Sequence, residues 1–134
     1  MLLLDSEALS ALSHGPAQRR EQVRGLIAAM RDQEQEIATV SAVLAEVIRG
    51  RRADAAVFGS MRGDRIMVRS VDAKVGIRAG QLMGAARMAA ANAVGAFVVA
   101  AGDIEGGALI ATVDINDIGR LARHCSRVRV ADIR

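Results

Sequence analysis

Apolar positions along this chain follow two periods, one of strands and one of helices. Leu2 to Leu4 is an unbroken apolar run that stops at Asp5, and Ser6 then opens a helical pattern through Ala8, Leu9 and Leu12. That pattern predicts a buried strand feeding a helix. His14-Gly15-Pro16 breaks the helix. From Gln18 to Arg31 the apolar residues Val23, Leu26, Ile27 and Met30 recur at helical spacing, with Arg19, Arg20, Arg24 and Arg31 on other faces. The segment reads as an amphipathic surface helix. Glu36 to Val40 predicts a second strand, and Ser41 caps a helix from Ala42 to Arg49 that stops at Gly50. A short helix around Ala55 to Met61, a brief third strand from Ile66 to Val68 and a long helix from Val71 to about Arg87, with Asp72 in its first turn, follow.

The stretch from Arg87 to Asp117 organises the rest. It reads as an apolar helix, a Gly-rich turn, a β-rich run from Leu109 to Val113 and an acidic step, Asp114-Ile115-Asn116-Asp117, where another helix begins and runs to His124. Arg127 to Val130 alternates as an edge strand does. Strands alternating with helices predict one α/β domain over residues 1–134, a three-layer α/β/α arrangement with a short parallel sheet between helices.

Ligands of such sheets gather beyond the carboxyl ends of the strands. Asp5 falls at the end of the first strand, Asp114 at the end of the strand from Leu109, and Glu46 in the helix after the second strand, among Val43, Leu44, Val47 and Ile48. A carboxylate embedded in an apolar face needs a partner or a metal. Three acids converging without matching cations invite a hard divalent cation, Mg²⁺ or Mn²⁺, able to activate water and stabilise a phosphate. The plainer reading is that Asp5 and Asp114 N-cap their helices.

Composition narrows the chemistry. The chain is 51% hydrophobic with two Phe and no Trp or Tyr, so bases have almost no aromatic faces to stack on. Of its 18 basic residues 17 are Arg, suited to phosphates and carboxylates, although Arg also serves simple solubility. Arg49, Arg51, Arg52, Arg62 and Arg65 form the densest basic region, and the first three sit where RNA phosphates, acidic groups of a protein partner or solvent alone would meet them. The single cysteine, Cys125, rules out an internal disulfide and fits a reducing cytoplasm. Met-Leu-Leu-Leu-Asp lacks the basic region of a signal peptide, and the apolar run from Ala93 to Ala101 is shorter than the ~20 residues that span a bilayer, so no membrane role is expected.

These residues resemble the PIN-domain proteins, in particular the VapC toxins of bacterial toxin–antitoxin pairs, over nearly the whole chain. LLLDSEAL (2–9) looks like the opening strand with its acid Asp5, and TVSAVLAEVIRG (39–50) like the segment whose Glu falls on Glu46. GAFVVA (95–100) and IATVDINDI (110–118) look like the last two motifs, the latter supplying Thr112, Asp114 and Asp117. The resemblance implies a PIN-like fold, Mg²⁺- or Mn²⁺-dependent RNA cleavage, homodimerisation and inhibition by a small VapB-like antitoxin. It also implies a catalytic set of Asp5, Glu46, Asp114, Asn92 and Thr112, with Asp5, Glu46, Asp114 and Asp117 toward the metal.

The sequence departs from the family pattern where an acid is expected at Asn92 and, in some members, at Gly95. Asn92 offers a neutral carbonyl oxygen, Gly95 no side chain, and Asp103 lies about 16 Å farther along a continuing helix. At an effective dielectric near 20, one missing charge ~5 Å from a divalent ion forfeits roughly 6 to 7 kcal/mol of gross attraction. A single ion needs only one or two direct carboxylates, whereas two ions need more negative charge. Two readings stay open: a nuclease with a weakened site, and a degenerate PIN domain that binds an antitoxin or RNA without turnover.

The remaining signals read as structural. Thr112 and Asn116 orient a water or phosphate, or else satisfy backbone. His124 and Cys125, adjacent at a helix end, and His14, in a loop, read as structural residues, and Met83 and Met88 as helix packing. Gly76, Gly80 and Gly84 share one helical face and suit close helix approach, within the chain or at a dimer interface.

Overall fold

A computed structural model describes all 134 residues. Its five strands, β1 (Leu2–Leu4), β2 (Ile37–Val40), β3 (Met67–Arg69), β4 (Ala108–Thr112) and β5 (Val128–Asp132), form one parallel sheet in the order β3-β2-β1-β4-β5. The helices are α1 (Ser6–Ala11), α2 (Ala17–Asp32), α3 (Ser41–Val47), α4 (Asp54–Gly63), α5 (Ala73–Ala86), α6 (Ala93–Ile104) and α7 (Ile115–Ala122). The chain steps outward from β1 through β2 to β3, then returns across the sheet to β4 and β5. Right-handed crossovers therefore put α1 to α4 on one face and α5 to α7 on the other. The packing agrees: α1 lies against α2 and α3, while α6 lies against α5 and α7. This is the three-layer α/β/α arrangement expected, and it fits a PIN-like fold.

The central strands are apolar throughout because both of their faces are covered. Leu2, Leu3 and Leu4 of β1 and Ile110 and Ala111 of β4 are wholly buried, and α6 contributes Ala96, Val98, Val99 and Ala100 from above. Helix and sheet approach closely at Gly102, where an added Cβ would lie 2.8 Å from the Ala108 Cβ. Thr39 is buried at no polar cost, since its hydroxyl donates to the Leu4 carbonyl at 2.8 Å. No helix is long and apolar enough to cross a membrane.

Several boundaries differ from the sequence expectation. The apolar helix does not begin at Arg87: α5 ends there in a left-handed turn (φ 54°), a 3₁₀ turn spans Ala90–Asn92, and α6 starts at Ala93. α3 stops at Val47, two residues before Arg49, because Ile48 is extended. The third strand is a sheet edge with Met67 and Val68 exposed, and β5 runs on to Asp132. No helix of the chain packs on Gly76, Gly80 or Gly84, and a Cβ on each would meet nothing within 4 Å. The inner face of α5 is Val75, Ala79 and Leu82, about 100° around the helix from the glycines.

Candidate active site

The order in which the chain visits the strands reverses between β1 and β4, which pair in parallel with Leu4 opposite Ala111. Connections from these two strands leave toward opposite faces, and the crevice this opens beyond their carboxyl ends is the ligand position of open α/β sheets. A cleft of about 240 Å³ occupies that place. Asp5, Ser6, Glu46, Asn92, Asp114 and Asp117 supply much of its polar lining, and Met88, Val98, Ile118 and Leu121 belong to its apolar wall. No Lys, Arg or His lines it.

Asp5 leaves β1 in extended backbone and N-caps α1, its Oδ1 accepting from the Ala8 N–H at 2.8 Å. Burial pushes its carboxyl up to about 6, against hydrogen bonds from the Thr112 hydroxyl and the Ala8 N–H, and Glu7 raises it further. No cation pairs with it. Thr112, wholly buried at the end of β4, also accepts from the Asp114 N–H at 2.9 Å and so joins the two strand ends. Asp114 N-caps α7 through the Asp117 N–H at 3.1 Å. Capping and cleft lining thus coincide at both Asp5 and Asp114.

Glu46 is not embedded in an apolar face. α3 is short and buries only Val43, so Glu46 stands exposed at the cleft, and the Ser6 hydroxyl donates to its Oε2. Asp117 takes a hydrogen bond of 3.0 Å from the Asn92 amide and lies 3.8 Å from Arg120. Asn92 therefore spends its NH₂ on an acid that a second carboxylate would repel. A Cβ added to Gly95 would lie 3.0 Å from the Ile118 Cδ1, so that position holds a side chain only if Ile118 gives way. Asp103 pairs with Arg78 at 2.8 Å, at the far end of α6, and does not replace the missing acid. Asn116 follows Asp114 in the first turn of α7.

The sequence reasoning missed Ser6 as the partner of Glu46 and Arg120 as the partner of Asp117. Both had weak signals: Ser6 adjoins Asp5, and Arg120 stands three residues after Asp117 on one helix. No three Asp, Glu, His or Cys side chains stand close enough to form a ready set of ligands. The donor type nevertheless fits Mg²⁺ or Mn²⁺, because the groups are oxygens, Asp5 is a partly buried acid with no cation, and the cleft carries no positive side chain. No protein-family profile matches this chain, and no curated protein sequence matches it.

Proposed function

We propose that this chain is a PIN-like, VapC-like endoribonuclease dependent on Mg²⁺ or Mn²⁺. The observation that carries the reading is Asp5, a partly buried carboxylate without a cation, opening with Glu46 and Asp114 into one cleft at the sheet's switch point. Asp5, Glu46 and Asp114, which line the cleft without standing in ligand geometry, would draw together to hold the ion, with Asp117 beside them. The ion, when bound, supplies charge stabilisation at phosphorus and an acidified water. Thr112 sets the position of Asp5 and Asp114, Ser6 that of Glu46, and Asn92 that of Asp117. A cytoplasmic setting, a homodimer and a small VapB-like antitoxin belong to the same proposal.

Asp5→Asn keeps a capping side chain and removes the charge. It is expected to abolish Mn²⁺ binding by calorimetry and to lower RNA cleavage at least a hundredfold; cleavage equal to the parent's would exclude this assignment.

A second reading, a PIN-like domain without turnover that binds an antitoxin or RNA, is favoured by the Asn92–Asp117 hydrogen bond. On that reading the parent takes up no Mn²⁺ at millimolar concentration, and Asn92→Asp restores uptake. Gly95→Asp is the poorer restoring change, since Ile118 stands in its way.

A further inference from the structure

The loop between α3 and α4 carries three arginines in four residues, Arg49, Arg51 and Arg52, all exposed. None forms an ion pair, as eight arginines elsewhere in the chain also do not, but only here do three unpaired arginines fall within four residues. A carboxylate is within reach and is not used for pairing. Asp54 is turned inward, only 9% exposed, and its two oxygens accept the Arg49 N–H at 3.1 and 3.2 Å and the Arg51 N–H at 3.0 Å. Gly50 turns between them with φ 70°. Those backbone bonds, that from Arg49 foremost, hold the Asp54 carboxyl below its usual range. From the other side His14, beyond the end of α1, sits with Nε2 3.1 Å from the Ala53 carbonyl. The loop is therefore braced at its backbone while none of its guanidinium groups is held in an ion pair.

Its position gives that charge a use. Arg49 follows Glu46 by three residues, so its Cα lies within about 11 Å of the Cα of an acid lining the cleft. We propose that Arg49, Arg51 and Arg52 form a phosphate-binding rail that carries the RNA backbone past the cleft, with Asp54 as the residue that positions it. The inference rests on the ribonuclease reading of the cleft. Acidic walls repel a polyanion, so strand binding needs fixed positive charge outside them. Guanidinium forks on a preordered loop supply it without base contacts, which suits a chain with almost no aromatic faces.

The test is binding of a short, mixed-sequence, fluorescein-labelled single-stranded oligoribonucleotide, followed by anisotropy in EDTA over a salt series. Each neutralised phosphate of a single strand contributes about 0.7 to the slope of log K against log salt. Arg51→Gln with Arg52→Gln is expected to lower that slope by about 1.4 and to weaken binding roughly tenfold at 0.1 M salt. Asp54→Asn separates a brace from a mere patch of charge. It makes the protein more positive, so a loose patch would bind RNA as well or better, whereas a braced rail binds several-fold more weakly while circular dichroism stays that of the parent. An unchanged slope in the arginine variant, or no RNA binding by the parent, overturns the rail. Unweakened binding by folded Asp54→Asn overturns the brace. Tighter binding of a glutamate-rich peptide of equal length overturns RNA as the occupant in favour of an acidic protein. Should Asp54→Asn not fold, the arginine variant still decides. Because no metal is present, intact salt-dependent binding without Mn²⁺-dependent cleavage would remove the nuclease reading alone.

Discussion

A carboxyl held near 6 when its ordinary value is 3.8 means that folding favours the protonated form of Asp5. Below pH 4 the group is protonated in both the folded and unfolded chains and contributes no difference. Between about pH 4 and 6 the unfolded chain releases its proton while the folded chain retains it, so stability falls as pH rises. Above that window the cost is full, roughly 3 kcal/mol at 1.36 kcal/mol per pH unit. Asp5→Asn removes the cost and keeps the cap. In metal-free buffer its urea midpoint at pH 7 is expected to exceed the parent's, by about 1 to 3 kcal/mol in stability, and the difference is expected to shrink toward pH 4. A variant no more stable than the parent at pH 7 would mean that Asp5 is solvated. A carboxylate that costs stability and has no cationic partner in the chain is the kind retained for a ligand.

At the scale of elements, α5 shows what a period reveals and what it hides. Spacing correctly put Gly76, Gly80 and Gly84 on one face, but not against anything: the packed face is that of Val75, Ala79 and Leu82. An exposed glycine in a helix interior costs up to about 1 kcal/mol relative to alanine. Gly80→Ala with Gly84→Ala is therefore expected to stabilise the monomer by about 1 to 2 kcal/mol in urea unfolding, and to weaken any dimer that closes on this face in sedimentation. The strands were legible because Leu2–Leu4, Ile37–Val40 and Ala108–Thr112 are short apolar runs bounded by polar or capping residues. Asp5 and Asp114 were legible for the same reason, since each stands where such a run stops. Glu46 misled, because Val43, Leu44, Val47 and Ile48 imply a buried face, and a seven-residue helix buries only one of them. The break at 87–92 carries no Gly or Pro, and Arg87, exposed, takes the left-handed turn that lets the Met88 N–H close the helix end on the Met83 carbonyl at 2.9 Å. Ser6–Glu46 and Asn92–Asp117 join residues 40 and 25 apart, pairings set by topology and beyond the reach of local pattern.

For the whole molecule, the cleft lies where both layers meet the sheet: Asp5 and Glu46 come from one helical layer's connections, Asn92 and Asp114 from the other's. An ion held there would tie the two layers together, and its binding energy would appear as folding energy, since the unfolded chain offers no such site. At a free concentration ten times Kd the gain is about 1.4 kcal/mol. A chain of 134 residues unfolds with an entropy of about 0.28 kcal/mol/K, so the midpoint is expected to rise by about 5 °C. Mn²⁺ at millimolar concentration should produce that shift in scanning calorimetry at pH 7, and EDTA should reverse it. The shift should grow with pH between about 5 and 7, because the ion must displace the proton on Asp5. Asp5→Asn should start higher in EDTA and gain nothing from Mn²⁺, so that the order of the two midpoints narrows or inverts when the ion is added. An equal shift in both proteins would place the ion outside the cleft, while none in either would leave Asp5 an unrequited charge and favour the reading without turnover.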